Sequence, residues 1–225
     1  MSVFARSAAA LTALGLLLAA GGATAQRVSD VRNTKHNLSV TGPGPVRAVS
    51  QDRVCVFCHT PHGATTAPAA PLWNRALAGD IYTGYTSSSI DAPDLGNTVG
   101  GASKLCLSCH DGTVAVGAVN VAGGQTNPTF DMTGTAAGGT IPPGEGPLTG
   151  YTRNLGVDLT NDHPISFTYD TTLALTDGEL RDPDAVPHIG VRVPGVQPKP
   201  RIPLHPGPTL ATEGTLECTS CHDPH

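Results

Sequence analysis

The chain has 225 residues and a formal net charge of −5, with 4% aromatic and 14% charged residues. Its 27 Gly and 20 Pro leave little room for long helices, and the bulky side chains that normally build a core are scarce. Such a chain does not offset its conformational entropy with its own side chains, so the composition asks for apolar volume from elsewhere, as large planar cofactors would supply.

The first 25 residues read as a secretory signal peptide. Arg6 gives a short positive start, Ala8 to Ala20 is almost wholly apolar, and Ala23-Thr24-Ala25 is a small-x-small cleavage site. Cleavage there makes Gln26 the new N-terminus. The competing reading, an uncleaved anchor, needs a longer apolar run than this one. The first cysteine is Cys55, too far on for a lipid-anchored N-terminus, and no second long apolar stretch follows. The expected product is exported, extracellular or periplasmic, with no membrane anchor in its mature form. Loss of Arg6 makes it one unit more acidic, which argues against nucleic acid as a partner.

Residues 26–225 read as a single domain divided by three short motifs. Gln26 to Val54 is a polar arm containing Lys35-His36-Asn37-Leu38-Ser39, with little else in it to hold it down. Thr60 to Leu105 joins the first two motifs and carries the only tryptophan, in Pro71-Leu72-Trp73-Asn74-Arg75. After the second motif, Thr113 to Val121 alternates β-branched residues in the manner of a short strand or strand pair. From there to Pro208, Gly and Pro recur every few residues, which predicts loops, with one short strand near Ile165-Ser166-Phe167-Thr168-Tyr169. The expected fold class is mostly irregular and haem-cored, with short helical turns at the motifs and a few short β-strands.

The haem expectation comes from the cysteines. The six fall as Cys55/Cys58, Cys106/Cys109 and Cys218/Cys221, each pair followed at once by a histidine: His59, His110 and His222. Six cysteines in an exported protein would ordinarily suggest disulfides, but a disulfide framework has no reason to repeat that histidine. Cys-x-x-Cys-His is the attachment sequence of haem c. Two thiols add to the vinyl groups on one porphyrin edge, and the histidine reaches beneath the ring to bind iron. A thioredoxin-like redox pair would use one copy in a βαβ setting, and structural zinc would use paired knuckles. Three copies with no cysteine left over predict three haem c groups, with His59, His110 and His222 as proximal ligands.

Each iron then needs a sixth ligand or an open site. Even if Met132 serves one iron, two remain, and six histidines lie outside the motifs. Histidine is therefore the expected sixth ligand. His62 follows His59 by three residues and cannot reach the far face of the same porphyrin, since so short a tether spans at most roughly 10 Å. If it binds iron, it binds another one. The same holds for His225 after His222, and the two tails match as Cys-x-x-Cys-His-x-Pro-His. His36 and His163 complete the candidates, the latter in Asp162-His163-Pro164, where a carboxylate stands ready to accept the other ring N–H. His188 and His205, in Pro-rich loop, are reserves.

Taken together, the 35–39 segment, the first motif with Thr60-Pro61-His62-Gly63, Pro71-Leu72-Trp73-Asn74, the second motif with Asp111-Gly112-Thr113, Asp162-His163-Pro164-Ile165-Ser166 and Cys218 to His225 resemble multihaem cytochromes c with doubled Cys-x-x-Cys-His motifs. That group includes the extracellular cytochrome filament subunits of metal-reducing prokaryotes. The resemblance implies bis-His haems stacked in a continuous chain, and in the filament members a histidine just after a motif ligates a haem of the next subunit, a role that would fall on His62. The expected function is electron transfer rather than catalysis, as a filament subunit in a homo-oligomer or as a soluble periplasmic shuttle. The expected partners are redox proteins or extracellular electron acceptors. A haem enzyme such as a multihaem reductase would need one iron left open.

Overall fold

The computed structural model describes residues 30–66, 72–79, 81–96, 99–144, 153–185, 189–191, 202–206 and 214–225. The signal peptide, its cleavage site and His188 lie outside them. Regular structure among the described residues is sparse, as the Gly and Pro content requires. Two two-residue strands, β1 (Arg47–Ala48) and β4 (Met132–Thr133), pair antiparallel, and β2 (Val121–Ala122) pairs with β3 (Gln125–Thr126) as a tight hairpin. A four-stranded sheet has the order β5 (Phe167–Thr168), β8 (Gly214–Leu216), β7 (Ile202–Pro206), β6 (Ile189–Val191), antiparallel except for the β6–β7 pair. No helix among the described residues is long and apolar enough to cross a membrane.

All three motifs are helical turns. Residues Cys55–Phe57 form a 3₁₀ turn that continues to His59, whose N–H donates to the Cys55 carbonyl at 2.8 Å. The second motif ends a full helix, α1 (Gly101–His110), longer than the single turn expected, and the third is the short helix α3 (Cys218–Cys221). A further helix, α2 (Thr171–Asp177), stands where loop was expected. Asp170 caps its start by accepting from the Leu173 N–H at 2.8 Å, and Gly178 ends it in the left-handed conformation at φ 73°. Both caps are legible in the sequence, and buried Leu173 and Ala174 supply its inward face.

The strand expected over Thr113–Val121 forms only at its far end, in β2. The carbonyls of Ala115, Val116 and Ala118 do not enter a ladder because the Arg75 guanidinium takes them, at 2.9, 2.7 and 2.9 Å. The alternating pattern there reflects burial of Val116 and Val119 instead. Among the described residues the apolar interior is not one core but four small clusters, centred on Phe57, on Phe167 with Leu173, on Leu107 and on Val116. Met132 packs against two of them.

Candidate haem-binding site

Within each motif at least one residue between the cysteines is buried. Phe57, Leu107 and Ser108 are wholly buried and Ser220 nearly so. This anchors each turn. All six cysteines are free thiols, so no disulfide framework competes for them.

The three motifs are held together by buried polar side chains. Asn74 donates to the carbonyls of Val56 in the first motif and Val121 at 2.6 and 2.9 Å, and accepts from the Val121 N–H at 2.9 Å. Arg75, wholly buried, also donates to the Ser108 carbonyl of the second motif at 3.2 Å. Glu217 caps α3 in a reciprocal box with Ser220 and accepts from the Ser103 N–H of α1 at 3.1 Å and the Ser166 hydroxyl at 2.9 Å. Gly101, at φ 48°, lets Glu217 come this close; a Cβ there would collide with its carboxylate. Burial raises the Glu217 pKa, and the hydrogen bonds from Ser103, Ser166 and Thr215 oppose it. None of these ties is singled out by the sequence, where Trp73-Asn74-Arg75 stands out only for carrying the single tryptophan.

These ties put the second motif beside the other two. The Cys106 thiol donates a hydrogen bond to Cys218, which holds the Cys106 proton on and eases that of Cys218 off. Burial pushes the Cys58 thiol up to about 12, and the nearby Cys109 adds to the shift.

The histidines arrange themselves in pairs. His59 faces His225 with ring centroids 6.1 Å apart, His110 faces His36 at 6.2 Å, and His222 faces His163 at 6.3 Å. The planes lie 12° apart in the first pair and 20° in the last, but 80° in the His36–His110 pair. One aromatic pair at such a distance is ordinary. What is specific is that each motif histidine faces one other histidine, and that each of those lies outside the motifs. A metal bound at about 2 Å to one nitrogen of each ring, with each centroid about 1.1 Å further out, sets two imidazoles about 6.2 Å apart. The three pairs match that span. Among the described residues no three His, Cys, Asp or Glu side chains converge on a bare-ion site.

Outer contacts orient the rings. His110 Nδ1 meets the Arg153 carbonyl at 2.6 Å, which leaves Nε2 as the outward lone pair when Nδ1 carries the proton. His36 donates to the Pro224 carbonyl; burial lowers its pKa, with His110 and His225 adding to the effect, so the neutral ring is favoured. The arm around His36 is firmly held, contrary to its expected looseness. Asn37 and Ser39 are buried; the Asn37 carbonyl oxygen accepts from the Ser39 N–H and hydroxyl at 3.1 and 2.7 Å, and the Leu38 carbonyl accepts from Ala48. His163 Nδ1 lies 3.4 Å from the Pro164 carbonyl rather than on Asp162. His225 Nδ1 is 3.7 Å from Asp223.

His62 is exposed and faces no other histidine among the described residues. His205 is joined to Thr219 Oγ1 at 2.6 Å and so steadies the third motif. Three buried donors, Trp73 Nε1, Arg75 Nε and Arg153 Nε, have no acceptor among the described residues. The Trp73 ring stands edge-on to His59 at 6.3 Å, and Arg153 supplies the carbonyl at His110. Carboxylates of a bound porphyrin would answer such donors, so the residues present fit the group.

No protein-family model matches the chain, and no curated protein matches it.

Proposed function

We propose that the chain is a trihaem electron-transfer protein. Each Cys-x-x-Cys-His motif binds one haem c through its two thiols. The axial ligand pairs are His59 with His225, His110 with His36 and His222 with His163. The observation that carries this reading is the set of three histidine pairs at 6.1, 6.2 and 6.3 Å, each joining one motif histidine to one other. The unpartnered Trp73 Nε1 and Arg153 Nε support it as anchors for propionates. The bound group supplies a one-electron ferric/ferrous couple; the protein supplies thioether sites, axial nitrogens and a screened interior.

With two histidines on every iron, no position stays open for substrate, which favours electron transfer over a reductase. Ligation wholly within one chain favours a self-contained carrier. In the filament form, exposed His62 would contact a neighbouring subunit, but each motif histidine here already has a partner. The acidic surface suits basic redox partners or extracellular acceptors such as mineral surfaces.

Expression in a host that exports the chain and attaches haem tests the reading. A pyridine haemochrome should give three haems per chain, peptide mass analysis should place one on each motif, and the spectrum should be low-spin throughout. Zinc, disulfides or fewer than three attachments would overturn it.

A further inference from the structure

The three histidine pairs are not equivalent. Near-parallel planes, 12° and 20°, distinguish the outer pairs from His36–His110, whose planes cross at 80°. The crossed arrangement is held from two independent sides. His110 ends α1 and is fixed by the Arg153 carbonyl. The His36 ring is fixed by the Pro224 carbonyl, and the His36 backbone N–H donates to Thr34 Oγ1 at 3.2 Å. In the outer pairs two of the ring contacts are longer: His163 Nδ1 lies 3.4 Å from the Pro164 carbonyl and His225 Nδ1 3.7 Å from Asp223. We propose that the His36–His110 pair makes the second motif's haem electronically distinct from the other two and the first of the three to accept an electron. The inference rests on the haem reading above.

Two effects point the same way. Each imidazole donates π density into one iron d orbital. Parallel rings load the same orbital and split the pair, whereas crossed rings load both equally and leave them nearly degenerate. Near-degeneracy removes part of the stabilisation that the ferric ion otherwise gains, so the ferrous state is favoured. The charged groups differ as well. Asp223 stands 3.7 Å from His225, and Asp162 interacts electrostatically with His163, and both favour the ferric state of the outer sites. The carboxylate that follows His110, Asp111, is shared between Tyr82 at 2.7 Å and the Thr113 N–H and hydroxyl, both at 2.9 Å, which disperse its charge. Reduction adds one electron per iron from an external donor and makes or breaks no bond.

Electron paramagnetic resonance on the fully oxidised holoprotein, followed by stepwise reduction with dithionite at controlled potential, tests this. The expected spectrum contains one strongly anisotropic large-gmax low-spin signal and two rhombic signals, each integrating to one haem. The large-gmax signal should disappear first. His36→Met should abolish that signal alone. Three rhombic signals, or a large-gmax signal that disappears last, would overturn the inference while leaving three haems by haemochrome. Absence of haem from the purified protein would instead overturn the reading beneath it. The wild-type measurement decides the matter even if the variant fails to fold.

Discussion

Arg75 offers the sharpest test of how the motifs are held. Its side chain is wholly buried and donates to four backbone carbonyls, those of Val116, Ala118, Ala115 and Ser108. Arg75→Met keeps most of the stem volume and deletes the guanidinium. Each carbonyl left buried without a donor costs about 1–3 kcal/mol, but neighbouring carbonyls relax together and the costs do not add. Removing the buried charge also removes its own desolvation penalty, a partial offset. The expected net loss is about 3 kcal/mol, a large share of the roughly 5–15 kcal/mol typical of a folded domain. Because Ser108 lies within the second motif, the loss should fall first on that haem. Urea denaturation followed by Trp73 fluorescence reads the total, and haem stoichiometry reads the local effect. Arg75→Lys should recover only part, since an ammonium cannot span four carbonyls spread over two segments. A Met variant within about 0.5 kcal/mol of wild type, the scatter of an ordinary surface substitution, would refute the idea that this side chain organises the segment.

Single substitutions His36→Ala, His163→Ala and His225→Ala should each turn one of three irons high-spin, read by absorption and electron paramagnetic resonance, while His62→Ala changes none; a spectral change in the His62 variant would show that the in-chain pairing is incomplete. Glu217 should impose a pH slope. Its raised pKa means the folded state keeps a proton that the unfolded state releases, so its contribution to stability falls as pH rises from its ordinary value of 4.5. Glu217→Gln should flatten that slope in denaturation curves, whereas Glu217→Ala should cost about 1–3 kcal/mol through the donors it strands; parallel slopes in wild type and the Gln variant would argue against the assignment. Phe57→Ala should cost about 3–5 kcal/mol, as the side chain is fully buried and meets Phe130 edge-on at 5.3 Å. A calorimetric loss under 1 kcal/mol would mean the first motif does not depend on that anchor.

Some of this architecture is written locally. A Cys-x-x-Cys-His turn spans five residues, and its chemistry depends only on their spacing. The β5 strand announces itself through alternating Ile165, Phe167 and Tyr169. The helix Thr171–Asp177 was equally local, bracketed by Asp170 and Gly178, yet hidden by the Gly and Pro around it. The alternation of Thr113 to Val121 misled for a different reason. Periodicity reports which side chains are buried, not where the carbonyls go, and here a distant guanidinium claims them.

Sequence alone supplied the three Cys-x-x-Cys-His motifs, the histidine that closes each and the short list of candidate partners, because those rest on covalent spacing and on a shortage of other ligands. Which partner faces which motif belongs to the tertiary structure. His36 meets His110, and His225 meets His59, across long stretches of chain, and only the packing around Asn74, Arg75 and Glu217 brings them within 6.1 to 6.3 Å. The three-residue tether excluded His62 and His225 from their own motifs' irons but could not say where either would go. The fold turns His225 toward His59 and leaves His62 exposed, because ring placement follows long-range contacts that no local spacing encodes.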